Sequence, residues 1–300
     1  MNVTSVLSSK KTVSRWVIVG GIVVLGLLLI LSASLLKGRL GLWRLANVGR
    51  AILDSRSVSG YSRGEFTNVI FLHHSTGGLL IEQGGVRDKF SAAGFSFWDH
   101  GYDWEKLRGP DGVRKKYSYS IPNDNTDPDG LAGTFAQPAY GLPWNAFSGL
   151  LQHEVIAFKS CFPVSNISSD QQLSGYKSYY LSMRNVMDRH PDKLFVVVTQ
   201  PPLNPVETDA QAATRARAFA NWLKSDEYLS GHSNVVTFDL FGYLAEDNPA
   251  LPDYNMLRAA FREGTDSHPN QIANQKIGPL FADFIISAAK SYSASAIPKR

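Results

Sequence analysis

The stretch Asn68-Val69-Ile70-Phe71-Leu72-His73-His74-Ser75-Thr76-Gly77-Gly78 decides the fold class. Val69 to Leu72 form an apolar, partly β-branched run too short for a helix. The run stops at two histidines, two hydroxyl residues and two glycines, the pattern of a buried strand ending in a tight turn. Four similar runs follow at Phe95–Trp98, Glu154–Phe158, Lys193–Thr199 and Asn234–Leu240. Helical patterns occupy Gln172–His190, Asp209–Ser225 and Ile272–Ser291. Short continuous strands alternating with amphipathic helices predict an α/β three-layer sandwich, with a central parallel sheet of about five strands covered on both faces.

This domain is expected over residues 66–292. Before it, Trp16–Leu36 carries no charge and is rich in Val, Ile and Leu. At about 1.5 Å per residue it is long enough for a hydrocarbon core of roughly 30 Å, which predicts an N-terminal transmembrane anchor over 16–36 behind a tail at 1–15. A cleaved signal peptide with Ser32-Ala33-Ser34 at its cleavage site is the alternative, but signal cores usually run about 7–15 residues. Basic residues flank the segment on both sides, so charge leaves the orientation open. An extracytoplasmic domain is the expectation. Residues 37–65 predict a juxtamembrane linker and 293–300 a disordered tail. Residues 101–145, dense in Gly, Pro, Asp, Asn and Tyr, predict a loop-rich insertion over the site.

The composition, 44% hydrophobic and 19% charged, is that of a folded chain. A net charge of +4 gives no footprint for nucleic acid, and much of the basic excess flanks the apolar segment. The single cysteine, Cys161, excludes an internal disulfide and a multi-cysteine zinc site. No cofactor is expected.

Ligands of open parallel sheets bind beyond the carboxyl ends of the strands. That edge collects His73, His74 and Ser75, residues 160–166, Gln200, and the segment Asp266-Ser267-His268-Pro269-Asn270 before the last helix. A serine hydroxyl becomes a useful nucleophile when an imidazole takes its proton and donors meet the oxyanion. Ser75 stands at a strand end before two glycines, and one short loop carries both His268 and Asp266. The chain order Ser, Asp, His also occurs in α/β serine hydrolases.

The blocks Phe71-Leu72-His73-His74-Ser75-Thr76-Gly77, Phe158-Lys159-Ser160-Cys161-Phe162-Pro163, Thr199-Gln200-Pro201-Pro202 and Asp266-Ser267-His268-Pro269-Asn270 resemble the SGNH/GDSL hydrolase superfamily over roughly residues 66–290. The resemblance implies Ser75 as nucleophile and His268 as base; Asp266, on the same short loop, is the candidate orienting acid. For the oxyanion hole the resemblance implies the Ser75 amide, Gly101 and Asn166. It also implies a serine esterase or acyltransferase acting on O-acyl, by preference acetyl, esters of a carbohydrate or cell-envelope glycan. The chain departs from the family in reading His-His-Ser for Gly-Asp-Ser and in having Thr265 three residues before the histidine, where the family has its Asp.

Each position also has a purely structural reading: Ser75 as a helix N-cap, Asp266 and Asn166 as turn residues, Cys161 as a buried apolar residue. Two rival functions stand beside the esterase. One is a metal-dependent hydrolase using His73, His74, Asp99, His100, Asp266 and His268; the other is an inactive glycan-binding module on the same fold. Asn123–Gly130 partly matches a calcium loop, but its twelfth position is Ala136, which favours an Asx-rich turn. Tyr102, Trp104, Tyr117, Tyr119 and Trp144 are candidates for stacking on sugar rings or for a local core.

Overall fold

The computed structural model describes residues 15–37, 46, 49–50, 52–53, 58–124 and 127–296. The fold is mixed α/β around a six-stranded sheet of order β3-β2-β1-β4-β5-β6. The strands are β1 (Asn68–Leu72), β2 (Ser96–His100), β3 (Leu107–Arg108), β4 (Val155–Lys159), β5 (Leu194–Val198) and β6 (Val235–Phe238). All neighbours pair in parallel except β2 and β3, which pair antiparallel. The five expected strands are thus present within a few residues of their sequence bounds. β3 is additional: two residues long, it leaves no hydropathy period to read.

Alternation along the strands explains the two covered faces. Ile70 and Leu72 of β1, with Ile156 and Phe158 of β4, enter a core shared with Met183 and Met187 of helix Asp170–Met187 and with Phe219 of helix Ala210–Leu223. Val69, Phe71, Val155 and Ala157 enter the opposite core, shared with Leu80, Phe90, Ile277, Phe281 and Ile285. Every residue of β1, β4 and β5 is buried, as a strand covered on both sides requires. Side-chain caps fix two of the helix starts: Ser169 accepts from the Gln172 amide, and Asp209 from those of Gln211 and Ala212.

Three expectations change. Residues 101–145 are more than a loop laid over the site. They contribute β3, the helix Pro128–Phe135, and the buried side chains Tyr117, Tyr119, Ile121, Leu131 and Phe135, which anchor the segment in the core. The last helix runs over Gln271–Ala296, so 293–296 of the expected tail are helical and 297–300 lie outside the described residues. The spanning helix of the expected fold class is without support: among the described residues no helix is long and apolar enough to cross a membrane. A helix does occupy Arg15–Lys37, but its side chains are described only over 20–32, so the ends of the expected span 16–36 lie outside them. That helix falls in a unit separate from residues 47–300. Most of the expected linker 37–65 also lies outside the described residues, as do Asn125 and Thr126 of the acidic stretch.

Candidate active site

β1 lies inside the sheet, with β2 on one side and β4 on the other. The chain crosses to opposite sides of it, which makes the carboxyl end of β1 the switch point where such sheets bind ligands. His74, extended at φ −128°, occupies the N-cap position, and Ser75 is the first residue of the helix Ser75–Gln83. Ser75 is therefore past the cap and exposed at the helix N-terminus. Gly77 is required here, because a Cβ would collide with the His73 side chain and stand 3.1 Å from the Phe71 ring.

The second half of the site comes from the loop before the last helix. Asn204 holds that loop, its Nδ2 donating to the carbonyls of Gly264 and Asp266 at 3.2 and 3.1 Å. The Ser267 hydroxyl donates to Glu207 and accepts from the Asn204 amide. Asn270 caps the helix through the Ala273 amide. The buried Asn274 then bridges the two halves: its Nδ2 lies 2.8 Å from Gln83 Oε1 and 3.1 Å from the Pro269 carbonyl oxygen.

This framework brings three side chains 193 residues apart into one line. The Ser75 hydroxyl lies 2.7 Å from His268 Nε2, and His268 Nδ1 lies 2.7 Å from Asp266 Oδ1. A carboxylate only accepts, so Nδ1 carries the proton and donates, leaving the Nε2 lone pair to accept from Ser75. The His268 backbone N–H also donates to Asp266 Oδ1 at 3.1 Å, so Asp266 is both the turn residue and the imidazole's partner. Burial pushes the Asp266 carboxyl up, but the hydrogen bonds from the His268 ring and amide outweigh it, and its pKa lies below the ordinary value. Phe162 meets the His268 ring edge to face at 5.1 Å.

Ser75 and His268 open on a cavity of about 360 Å³, also lined by His74, Glu82, Glu105 and Arg108. A second cavity of about 310 Å³ shares His268 and Asp266 and is bounded by Leu79, Gln83 and Asn270. The other two sequence candidates are not brought to either lining. Gly101 follows β2 with its Cα turned toward the Glu105 carboxylate. Asn166 is exposed, and its Oδ1 accepts from the Thr208 hydroxyl at 3.2 Å.

The histidines grouped as a possible metal site have other partners. His73 is buried, with Nδ1 2.8 Å from the His74 carbonyl oxygen and Nε2 3.1 Å from Asp99 Oδ2. Asp99 also pairs with Arg87, whose Nη1 donates to the Gly109 carbonyl at 2.8 Å. His100 meets the Gly101 carbonyl and the Ser118 hydroxyl. Among the described residues no group of three His, Cys, Asp or Glu side chains is placed to hold a metal ion. Cys161 is free and buried, with its sulfur 3.9 Å from the Thr76 hydroxyl.

From sequence, His73, His74 and Asp99 carry a role only in the metal-dependent reading; in the structure His74 and the Arg87–Asp99–His73 chain lie beneath the nucleophile instead. His74 is 2% exposed, neither ring nitrogen has a partner among the described residues, and its ring packs 4.0 Å from that of Tyr102. The Tyr102 phenol in turn faces the Ser75 side chain. The one signal available was the second histidine of His-His-Ser, where the family carries a carboxylate.

No family model matches the chain, and no curated protein matches it. Solved structures do resemble it, among them the following two. A Bacteroides fragilis NCTC 9343 protein provisionally described as an acylhydrolase is 12% identical, with a TM-score of 0.46, over 74% of this chain and 87% of its own. A Streptococcus pneumonia protein provisionally described as a platelet activating factor is 13% identical, with a TM-score of 0.44, over 85% of this chain and 99% of its own. At that distance neither neighbour informs the chemistry of this chain.

Proposed function

We propose that the chain is a serine hydrolase of SGNH type that removes or transfers an acyl group, by preference acetyl, from an O-acyl ester of a carbohydrate or cell-envelope glycan. The observation that carries this is the unbroken hydrogen-bonded line from Ser75 through His268 to Asp266 at the mouth of a cavity. In the reaction, Ser75 Oγ bonds to the ester carbonyl carbon while His268 Nε2 takes its proton. Asp266 keeps the imidazole in the tautomer that can accept and stabilises the imidazolium that forms. The Ser75 amide, at the start of its helix, donates to the oxyanion. The carbon–oxygen bond to the alcohol then breaks, and His268 returns the proton to that alcohol. Water, or an acceptor hydroxyl, releases the acyl group by the same steps in reverse.

Two cavities meeting at His268 leave separate room for the acyl group and the alcohol. Trp144, 52% exposed, and the outer face of Trp104, 66% exposed and stacked on Tyr102, offer surfaces for a sugar ring, whereas Tyr117 and Tyr119 are buried in the core. Tethering to a membrane, with the domain outside the cytoplasm, belongs to the same reading. It rests on the uncharged stretch Trp16–Leu36 of the sequence alone.

The test is turnover of p-nitrophenyl acetate by the full-length chain beside Ser75→Ala and His268→Ala. Turnover by the parent and its loss in both variants are expected; undiminished turnover in Ser75→Ala would reject the serine mechanism. A deacetylation assay on an O-acetylated glycan then tests the substrate class.

A further inference from the structure

His74 is a polar ring in a place where polar rings are rarely left alone. It is 2% exposed, and neither Nδ1 nor Nε2 has a hydrogen-bond partner among the described residues. Its neighbours His73 and His100 both have partners at their ring nitrogens. An unsatisfied buried donor and acceptor weaken a fold, so a native protein that keeps one has a use for it. His74 is among the residues that line the cavity onto which Ser75 and His268 open. Its ring packs 4.0 Å from that of Tyr102, tilted by 48°.

Resting on the serine-hydrolase reading above, we propose that the His74 imidazole is a further catalytic group, whose ring N–H donates to the ester carbonyl oxygen and to the oxyanion formed when Ser75 attacks. An ester offers acceptors and no donors, so the N–H is the only part of a neutral imidazole it can engage. Burial, reinforced by Lys159, His73 and His100, lowers the His74 pKa to about 3, which keeps the ring neutral and the donor unchanged across the working pH range. The nucleophile and the oxyanion are bonded to one carbon, and Tyr102, which packs against the His74 ring, also faces the Ser75 side chain. His74 thereby fills the side-chain donor role assigned from sequence to Asn166, whose own oxygen is engaged by Thr208.

The test uses the full-length chain with p-nitrophenyl acetate. His74→Phe keeps a ring against Tyr102 and removes both nitrogens. It is expected to lower kcat on the order of 10²-fold, as loss of one oxyanion donor does, with KM changed no more than about threefold. His74→Asn and His74→Gln restore an N–H donor, and at least one is expected to recover about tenfold over His74→Phe. A second readout needs no His74 variant: after phosphonate inactivation of the 15N-histidine-labelled parent, a neutral ring N–H assigned to His74, distinct from that of His268, is expected to move downfield. A His74→Phe enzyme with kcat within about threefold of the parent, or an adduct in which the His74 ring N–H does not move, overturns the proposal. If His74→Phe does not fold, the adduct experiment decides alone. An inactive Ser75→Ala beside an unimpaired His74→Phe sinks only this inference, whereas an active Ser75→Ala sinks the serine mechanism itself.

Discussion

Gly84 and Gly278 meet backbone to backbone: a Cβ on Gly278 would stand 2.5 Å from the Gly84 carbonyl oxygen and 2.6 Å from the Gly84 Cα. Gly84 ends the helix that begins at Ser75, and Gly278 lies in the helix that follows His268. The contact therefore sets how closely the two helices carrying the serine and the histidine approach.

Gly278→Ala is expected to force those helices apart. Overpacking of this kind costs roughly 1–3 kcal/mol. Urea denaturation should show the loss of stability, and ester turnover should fall further than the loss of folded protein accounts for, because the distance from Ser75 to His268 depends on this packing. Unchanged stability and turnover would separate the helix contact from the site.

Arg87, its side chain one-fifth exposed (20%), pairs with the buried Asp99, which also holds His73 under the nucleophile. Removing one partner leaves the other charge unpaired in low dielectric. Arg87→Ala is expected to destabilise the fold by about 3 kcal/mol, read as a shift in the denaturation midpoint. Arg87→Lys should recover little, since a single ammonium cannot serve both Asp99 and the Gly109 carbonyl as the guanidinium does.

Burial lowers the pKa values of His73, His74 and His100 to about 4, 3 and 4, against 6.5 for an exposed histidine. Burial lowers His153 as well. Between those values the unfolded chain binds more protons than the folded one. Stability is therefore complete above about pH 6.5 and declines as the pH falls through that value toward 4, by roughly 1 kcal/mol per histidine per pH unit. Urea midpoints at about pH 7.5 and about pH 5 check this; equal midpoints would mean that these rings do not stay neutral in the fold.

Asp266 is largely solvated, with 63% of its side chain exposed. Its contribution to His268 is accordingly smaller than that of a buried acid. Asp266→Asn is expected to lower kcat by about 10- to 10³-fold, below the 10⁴-fold loss that a misplaced tautomer can cause. It should lose less than His268→Ala. Parity between the two variants would make Asp266 an indispensable member of the site.

The strands and the serine–histidine line were legible because each leaves a local trace: Val69 to Leu72 is a run no helix of that length would use, and Asp266-Ser267-His268-Pro269-Asn270 concentrates turn formers around one imidazole. β3 was not legible, since two residues leave no period, and the alternation of the buried Tyr117, Tyr119 and Ile121 was masked by the Gly-, Pro- and Asp-rich sequence around it. The bridge made by Asn274 was hidden in an ordinary helical pattern. Its partners, Gln83 and Pro269, become neighbours only after the two helices pack. His74 was visible as a letter but not as a site, because its lack of partners is a property of the folded cavity.

The central claim is that Ser75 is a nucleophile activated by His268. Reacting the full-length chain with a fluorophosphonate and mapping the adduct by mass spectrometry tests it most directly. One adduct is expected, on the peptide containing Ser75, and its formation should be sharply slowed in His268→Ala. An adduct confined to another residue, or labelling of Ser75 at the same rate without His268, would contradict it.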